Sequence, residues 1–345
     1  YARTLSEVKE KMAQFQAVLQ NQPVSALKLT VAEASRQWLS AAKLRVKPSS
    51  YAHYENIIRN HILPDLGTKY LTDMTTHQLN DFVYEKLQSG RLCGTGGLSA
   101  RFVQDIMRVY HSIEQYAVQE YHIRGTHFTM PKAEKKQLDV LSSEERKKLE
   151  QYLLQTGLTI DLAILLCLFT GLRVGELCGL QWNDIDFENG YLEIVRTSQY
   201  IGNKTLITKE PKTKSSRRMM KLSNDIIKIL NSYRVWQIEQ RFKIGSEWHD
   251  TDRLFTQWNG LPMYPDSLTK WFNKFLKRHN LRQVTLHSLR HTNATLMIAE
   301  GTDIRTVASR LGHSNTSTTL NIYTHALKSK DTQAAEVLND ILAIS

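Results

Sequence analysis

Apolar positions recur at helical spacing over most of the chain, beginning in its first third. In the stretch SSYAHYENIIRNHILPDLG, the residues Tyr51, Tyr54, Ile58 and Ile62 follow one another at intervals of three or four residues, which is the period of one helix face. Three further stretches have the same spacing and are separated by short polar turns. The pattern therefore predicts a compact domain of four helices over residues 26–130.

A second domain is predicted beyond a short connection. Ser142 and Glu145 have the spacing of a capping box at the start of a charged helix, and the apolar run Leu162–Phe169 then predicts a buried helix. The segments GYLEIVRTS and KTLITKEPKTKSSRRMMKL combine β-branched residues with turn signals and predict a small antiparallel sheet. Helical spacing returns at NDIIKILNSYRVWQ. We expect a fold that is mainly α with a small antiparallel β-sheet, in which a mixed α/β domain over residues 141–327 follows the helical domain.

Three shorter segments flank these domains. Residues 1–25 are predicted to form a charged helical lead-in, and because the chain begins with Tyr1 rather than Met, we expect that a preceding segment was removed. Residues 131–140 contain Pro131 and three lysines, the composition of an interdomain linker. Residues 328–345 have apolar positions at helical spacing and predict a tail helix, which could fold onto its own domain.

Composition narrows the classes of partner and cofactor. The formal net charge is +11, which attracts polyanions such as nucleic acid or an acidic membrane surface. The longest apolar run is far too short to span a membrane. Three scattered cysteines, Cys93, Cys167 and Cys178, lack metal-ligand spacing and fit a reducing cytosol without disulfides or structural zinc. No cluster of carboxylates suits magnesium, so we expect neither a metal nor another cofactor.

One polar cluster interrupts an otherwise apolar segment. In TLHSLRHTNATLM, the residues His287, Arg290 and His291 lie at positions i, i+3 and i+4 of a predicted helix and share one face. We expect this face to present its basic groups on the surface. The alternative interpretation is the ordinary solvent side of an amphipathic helix.

Three other segments carry groups of matching chemistry. TGLRVGEL follows the predicted buried helix, so Arg173 emerges from a rigid part of the core, with Glu176 one turn further on. PKTKSSRR places Lys212 and a second lysine at the predicted tip of a hairpin. RLGHSNTSTTLNIYTH contains His313 and, ten residues later, Tyr323. Taken singly, each of these residues could equally be solvated surface or core.

Together the four segments can support one reaction at a phosphodiester. Two arginines can neutralise the phosphate, histidines and a lysine can move protons, and a tyrosine hydroxyl can attack phosphorus. A phenol has a pKa of about 10 in water, so it needs a base and positive charge nearby to react. Transfer at phosphorus depends mainly on positioning and charge stabilisation, which fixed guanidinium groups supply without a metal.

The order of these segments closely resembles that of the tyrosine recombinases, the integrase family of temperate phages and conjugative transposons, over about residues 140–325. The resemblance implies a clamp of Arg173 and Arg290 on the scissile phosphate. It implies that Tyr323 is the nucleophile. The residues that would assist are His287 acting on the nucleophile's proton, Lys212 as the general acid for the 5′ oxygen, His313 as a hydrogen-bond donor to the phosphate, and Glu176 as the residue that orients the cations. Lys214, two residues from Lys212, is the alternative acid.

The resemblance also implies an activity and a set of partners. The protein would be a site-specific DNA recombinase that integrates and excises a mobile element through a 3′-phosphotyrosyl intermediate, without ATP. It would act in the cytoplasm as a tetramer on paired double-stranded DNA sites, with room for accessory DNA-bending or excision proteins. Residues 26–130 would be a core-binding domain, preceded by a missing arm-binding region, and the tail helix would pack on a neighbouring protomer. Residues available for DNA phosphates are Lys132, Lys135, Lys136, Lys214, Arg217 and Arg218.

Two other functions remain open at this level. A type IB topoisomerase shares the chemistry but relaxes supercoiled DNA, and analysis of reaction products separates the two. A DNA-binding regulatory protein with an inert site is the second alternative. The presence of Tyr323, Arg173 and Arg290 argues against an inert site.

Overall fold

A computed structural model of the chain describes residues 28–134, 139–156, 159–201, 205–209, 217–313 and residue 320. The chain divides into two compact units between Lys135 and Lys136, and each unit has its own hydrophobic core. The predicted lead-in helix over residues 1–25 and the predicted tail helix over residues 328–345 lie outside the described residues.

The first unit is helical. Its helices are α1 (Val31–Lys43), α2 (Pro48–Ile57), α3 (Leu63–Leu66), α4 (Thr76–Ser89) and α5 (Ala100–Tyr121). Thr30 and Thr75 close capping boxes at the starts of α1 and α4, which satisfies backbone N–H groups that no helical carbonyl reaches. One π-helical turn, Ile58–Ile62, joins α2 to α3. The apolar face of α5, which includes Ile106 and Ile113, forms the centre of this unit's core.

In the second unit, other helices pack around an apolar helix. Its helices are α6 (Ser143–Thr156), α7 (Thr159–Thr170), α8 (Val174–Gly179), α9 (Asn224–Ile244), α10 (Pro265–Arg278), α11 (Leu286–Ala299) and α12 (Ile304–Leu311). The residues of α7 from Leu162 to Leu168 are all buried, because this stretch is apolar on all sides. The sequence predicted this buried helix, and the structure confirms it.

Among the described residues, the strands form two antiparallel sheets. The strands are β1 (Ile185–Asp186), β2 (Tyr191–Ile194), β3 (Thr197–Ile201), β4 (Thr205–Lys209) and β5 (Arg218–Lys221). One sheet has the order β1-β2-β5, and the other pairs β3 with β4. The mainly α fold class with a small antiparallel sheet is therefore confirmed.

The two strands that flank Lys212 and Lys214 were predicted to pair as a hairpin, and this pairing is wrong. Among the described residues, β4 pairs with β3 whereas β5 pairs with β2. Lys212 and Lys214 themselves lie outside the described residues. The register of β5 explains this choice. It places Met220 opposite Leu192, and both side chains are buried in the core. Pairing with β2 therefore buries the apolar face of β5.

Candidate active site

The turn after the buried helix α7 positions Arg173. α7 ends at Thr170, and Gly171 follows with a φ of +66°, a left-handed conformation that glycine adopts without strain. A Cβ atom at this position would lie 2.4 Å from the Cδ2 atom of Leu311. The chain then turns into α8, with Arg173 at its N-cap. The sequence of the turn therefore fixes where Arg173 leaves the core.

Arg173 is partly fixed and partly open. Its Nη1 donates to Oε1 of Glu176 at 2.7 Å, and its Nη2 donates to the carbonyl oxygen of Gly312 at 3.1 Å. The side chain remains 39% exposed. A guanidinium held in this way keeps donors for an anion that arrives from solvent.

Arg290 on α11 is buried, with only 1% of its surface exposed. Its Nη1 donates to the carbonyl of Gly171 at 2.7 Å and its Nη2 to that of Leu311 at 2.5 Å. Burial first, and the charge of Arg173 second, lower the pKa of Arg290 to about 9, so this side chain stays charged at neutral pH. The expectation that α11 presents Arg290 on the surface is wrong, because the carbonyls of two neighbouring turns solvate the guanidinium inside the protein.

The two arginines are linked through hydrogen bonds to neighbouring backbone carbonyls. Arg290 donates to Gly171, two residues before Arg173 in the chain. The carbonyls of Leu311 and Gly312 are consecutive, and they accept from Arg290 and Arg173 respectively. Both guanidinium groups therefore meet at the end of α12.

Glu176 and Arg218 form a buried ion pair beside Arg173. Arg218 donates to both carboxylate oxygens of Glu176, at 2.9 and 3.2 Å, and through Nε to the carbonyl of Arg310 at 2.6 Å. Burial alone would raise the pKa of Glu176, but the hydrogen bonds and charges of Arg218 and Arg173 outweigh it and lower this pKa below its ordinary value. Glu176 is therefore a carboxylate that holds two cations in place.

Arg218 was expected among the exposed DNA contacts, and the structure corrects this placement. Only 8% of Arg218 is exposed, and its donors are used within the site. The sequence contained a signal for this burial. In β5, Arg218 and Met220 are buried while Met219 and Lys221 are exposed, the alternation of a strand with one face on the core. Reading Arg218 in register with Met220 would have placed it inside.

Three histidines complete the described part of the site. His287 and His291 lie one turn apart on α11 with ring centroids 4.6 Å apart and ring planes at 84°, and His313 follows α12. Desolvation and the neighbouring cations lower the pKa of all three side chains, to about 4 for His291 and for His313. The ring of His287 is still exposed to solvent. All three histidines are therefore neutral at pH 7, and His287 can accept a proton.

The charge of this cluster suits a phosphodiester. Arg173, Arg290 and Arg218 bring three positive charges, and Glu176 compensates one of them. Within the described ranges, no group of three or more His, Cys, Asp or Glu side chains is arranged to hold a metal ion. The same ranges contain no helix that is long and apolar enough to cross a membrane.

The sequence matches the model of the phage integrase family over residues 139–330, more than half of the chain. The chain belongs to the phage integrase family. The phage integrase N-terminal SAM-like domain matches in addition over residues 30–87, within the first helical unit. The resemblance to the tyrosine recombinases is thus confirmed, and this integrase is an enzyme that cleaves and rejoins DNA.

The chain is similar over most of its length to known recombinases and integrases. The tyrosine recombinase XerC-like protein of Caldanaerobacter subterraneus is 29% identical, over 99% of this chain and 91% of the relative. The ICEBs1 integrase of Bacillus subtilis is 27% identical, over 88% of this chain and 81% of the relative. Among solved structures, the Tn1549 transposon integrase in complex with a circular intermediate DNA has a TM-score of 0.71 at 20% identity. The match covers 89% of this chain and 99% of that one.

The fold of this integrase brings some of the predicted residues together. Those that lie close together are Arg173, Glu176, His287, Arg290 and His313. Lys132 and Arg217 are exposed, and Arg217 pairs with Glu193 at 3.2 Å. The predicted residues outside the described part of the chain are Lys135, Lys136, Lys212, Lys214 and Tyr323.

Proposed function

We propose that this integrase is the site-specific recombinase of a mobile element, and that it integrates and excises the element through a covalent bond between Tyr323 and a 3′ phosphate. The observation that carries the proposal is the interlock of Arg173 and Arg290. Two guanidinium groups fixed on consecutive carbonyls, those of Leu311 and Gly312, form a clamp for a single phosphodiester. Such a clamp stabilises the negative charge that develops at phosphorus.

The proposed reaction assigns one proton transfer to each side of the phosphorus. The Tyr323 oxygen forms the new bond to phosphorus and gives its proton to His287, which is neutral at pH 7 because its pKa is lowered. The bond from phosphorus to the 5′ oxygen breaks, and Lys212 protonates the leaving oxygen, with Lys214 as the alternative acid. His313 donates a hydrogen bond to a nonbridging oxygen. A positioned acid or base of this kind contributes about a hundredfold to ten-thousandfold to the rate.

No external energy source is required in this scheme. The phosphotyrosyl bond replaces the broken phosphodiester, so the 5′ hydroxyl of another strand can attack it and reseal the DNA. The tyrosine leaves and takes its proton back. Two such exchanges in sequence would recombine two duplexes without ATP, a metal ion or another cofactor.

The proposed assembly is a tetramer on two paired double-stranded DNA sites in the cytoplasm, with accessory DNA-bending or excision proteins setting its direction. The ICEBs1 integrase and the Tn1549 integrase, both related to mobile elements by name, support a role on an element of this kind. We assign DNA clamping to the helical unit and catalysis to the unit that contains α7. The exposed Lys132 and Arg217, with Lys135, Lys136 and Lys214, would contact phosphates.

A plasmid assay tests this function against DNA relaxation. Supercoiled plasmid with two copies of the DNA that flanks the gene is incubated with the protein, and a plasmid without these sites is the control. The proposal predicts recombinant circles or deletion products that depend on both sites. Relaxation of both plasmids without recombinants would instead identify a topoisomerase.

A further inference from the structure

Asn293 lies one turn beyond Arg290 on α11 and binds the end of α7. Its Nδ2 donates to the carbonyls of Leu168 and Phe169 at 3.0 and 2.9 Å. These carbonyls belong to the last turn of α7, where no helical N–H group is available to them. The amide therefore caps the helix immediately before the turn that carries Arg173.

The Asn293 amide is buried and closely packed. Asn293 is 8% exposed, and within the described residues its Oδ1 atom is buried without a hydrogen-bond partner. A buried acceptor of this kind costs folding free energy. A Cβ atom on Gly171 would lie 3.0 Å from this Oδ1. The side chain is thus packed against the left-handed residue of the turn, and a purely apolar side chain would avoid the unpaired acceptor.

Two side chains of α11 therefore grip the same turn. Asn293 holds Leu168 and Phe169, and Arg290 holds the carbonyl of Gly171. Arg173 follows two residues later. Arg290 is itself part of the proposed clamp. The geometry of the clamp therefore depends on the position of α11 relative to this turn.

We infer that Asn293 is a positioning residue for the phosphate clamp, and that it sets the place of Arg173 relative to Arg290. It acts through the backbone of residues 168–171 and does not itself contact the DNA. The inference rests on the proposed function of the two arginines. If it holds, loss of the amide weakens the stabilisation of phosphate charge and leaves the rest of the reaction unchanged.

A DNA substrate with an uncharged scissile group distinguishes this positioning role from ordinary stabilisation of the fold. In a methylphosphonate, a methyl group replaces one nonbridging oxygen, so the group has no negative charge for the arginines to neutralise. The quantity to measure is the ratio of single-turnover cleavage rates on phosphate and on methylphosphonate DNA. A misplaced clamp lowers this ratio, whereas a general loss of folded enzyme lowers both rates equally.

The variants are Asn293→Leu, which has the same branching but no amide, and Thr295→Val as the matched control. Thr295 is on the same helix, and its buried Oγ1 also lacks a partner among the described residues. We expect Asn293→Leu to lower the ratio about tenfold to a hundredfold, as for a small misplacement of reacting groups. Thr295→Val should leave it within about twofold of wild type. If Asn293→Leu does not fold, as judged by circular dichroism, Asn293→Ser is measured in the same way.

Arg290→Ala serves as the reference for the proposed function. If Arg290→Ala lowers the ratio and Asn293→Leu does not, Asn293 is only a structural cap and the inference is wrong. If Arg290→Ala itself leaves the ratio unchanged, the assignment of the phosphate clamp is wrong, and the inference falls with it. A reduced ratio in both variants, with Thr295→Val unchanged, supports the positioning role.

Discussion

The carboxylate of Glu176 and the guanidinium of Arg218 form an ion pair at 2.9 Å in which the two side chains are only 4% and 5% exposed. The pair connects strand β5 to the first turn of α8. Glu176 also binds Arg173, the residue at the N-cap of that helix. One carboxylate thus links the sheet to a proposed catalytic arginine, and its loss would leave two cations close together without compensation.

We therefore predict that Glu176→Gln destabilises the protein by about 3–5 kcal/mol, the usual cost of removing one partner of a buried pair. Glu193→Gln is the matched control, because its partner Arg217 is 67% exposed and the carboxylate is 44% exposed. Such exposed pairs contribute about 1 kcal/mol or less. Urea unfolding of both variants at pH 7 measures the difference. Equal effects of the two substitutions would show that the buried pair has no special role.

The difference in unfolding free energy between wild type and Glu176→Gln should depend on pH in a definite direction. The pKa of Glu176 is lowered in the folded protein, so the unfolded chain takes up the proton first as the pH falls. The stabilisation by Glu176 is complete well above about pH 4.3, the ordinary value for Glu, and is lost as the pH falls through the folded pKa. Wild type and Glu176→Gln should therefore converge in stability below about pH 4.3. Constant separation down to pH 3.5 would contradict the lowered pKa.

Substitution of Gly171 should lower stability both because a side chain lacks space there and because the backbone φ is positive. Gly171→Ala would place a Cβ atom 2.4 Å from Leu311, whereas Gly301, which also has a positive φ of +86°, has nothing within 4 Å. Gly301→Ala should cost about 1–2 kcal/mol from the strain of a positive φ alone. Gly171→Ala should cost about 1–3 kcal/mol more, as typical overpacking does, and should slow cleavage because it displaces the turn before Arg173. Thermal unfolding and single-turnover cleavage of both variants check this, and equal losses would contradict it.

The helices were predictable because their information is local. The run Leu162–Phe169 is apolar on every side, and both capping-box threonines are visible in the sequence. Strand pairing was not predictable in the same way. Whether β5 joins β4 or β2 depends on which partner completes the core, and Ile194, which pairs with Arg218, is far away in the chain.

The sequence predicted which residues share the helix face of the site, but not that some of their side chains are buried. Helical spacing indicates that His287, Arg290 and His291 share a face, but it does not reveal what that face meets. Arg290 is buried because its hydrogen-bond acceptors, Gly171 and Leu311, are 119 and 21 residues away. Asn293 was missed for the same reason, since its partners at the end of α7 are more than a hundred residues earlier.

The histidines of the site should make stability depend on pH in a second window. The pKa values of His291 and His313 are about 4 in the folded protein and about 6.5 in an unfolded chain. Between these values the unfolded chain binds more protons, so stability rises with pH from about 4 to about 6.5 and is level above that. His313→Asn should lose less stability than wild type between pH 7 and pH 5. His77→Gln, at a histidine whose side chain is 86% exposed, is the control and should behave as wild type.

The proposed general acid can be identified with a modified leaving group. A substrate with sulfur in place of the bridging 5′ oxygen expels a thiolate, which needs no proton. Lys212→Ala should slow cleavage of ordinary DNA about a hundredfold or more and should cleave the sulfur substrate at nearly the wild-type rate. Lys214→Ala should have little effect on either substrate. The reverse result would assign the acid to Lys214, and failure of the sulfur substrate to rescue either variant would exclude both lysines.

The most direct test of the central claim is covalent capture on a nicked suicide duplex made from DNA that flanks the gene. After cleavage the short nicked strand diffuses away, so a phosphotyrosyl adduct accumulates and survives denaturation in SDS. We predict an adduct with the wild-type protein and none with Tyr323→Phe, while both proteins bind the duplex equally well. An adduct that persists in Tyr323→Phe would contradict the assignment of the nucleophile, and tight binding without any adduct in the wild type would contradict the proposed chemistry on this DNA.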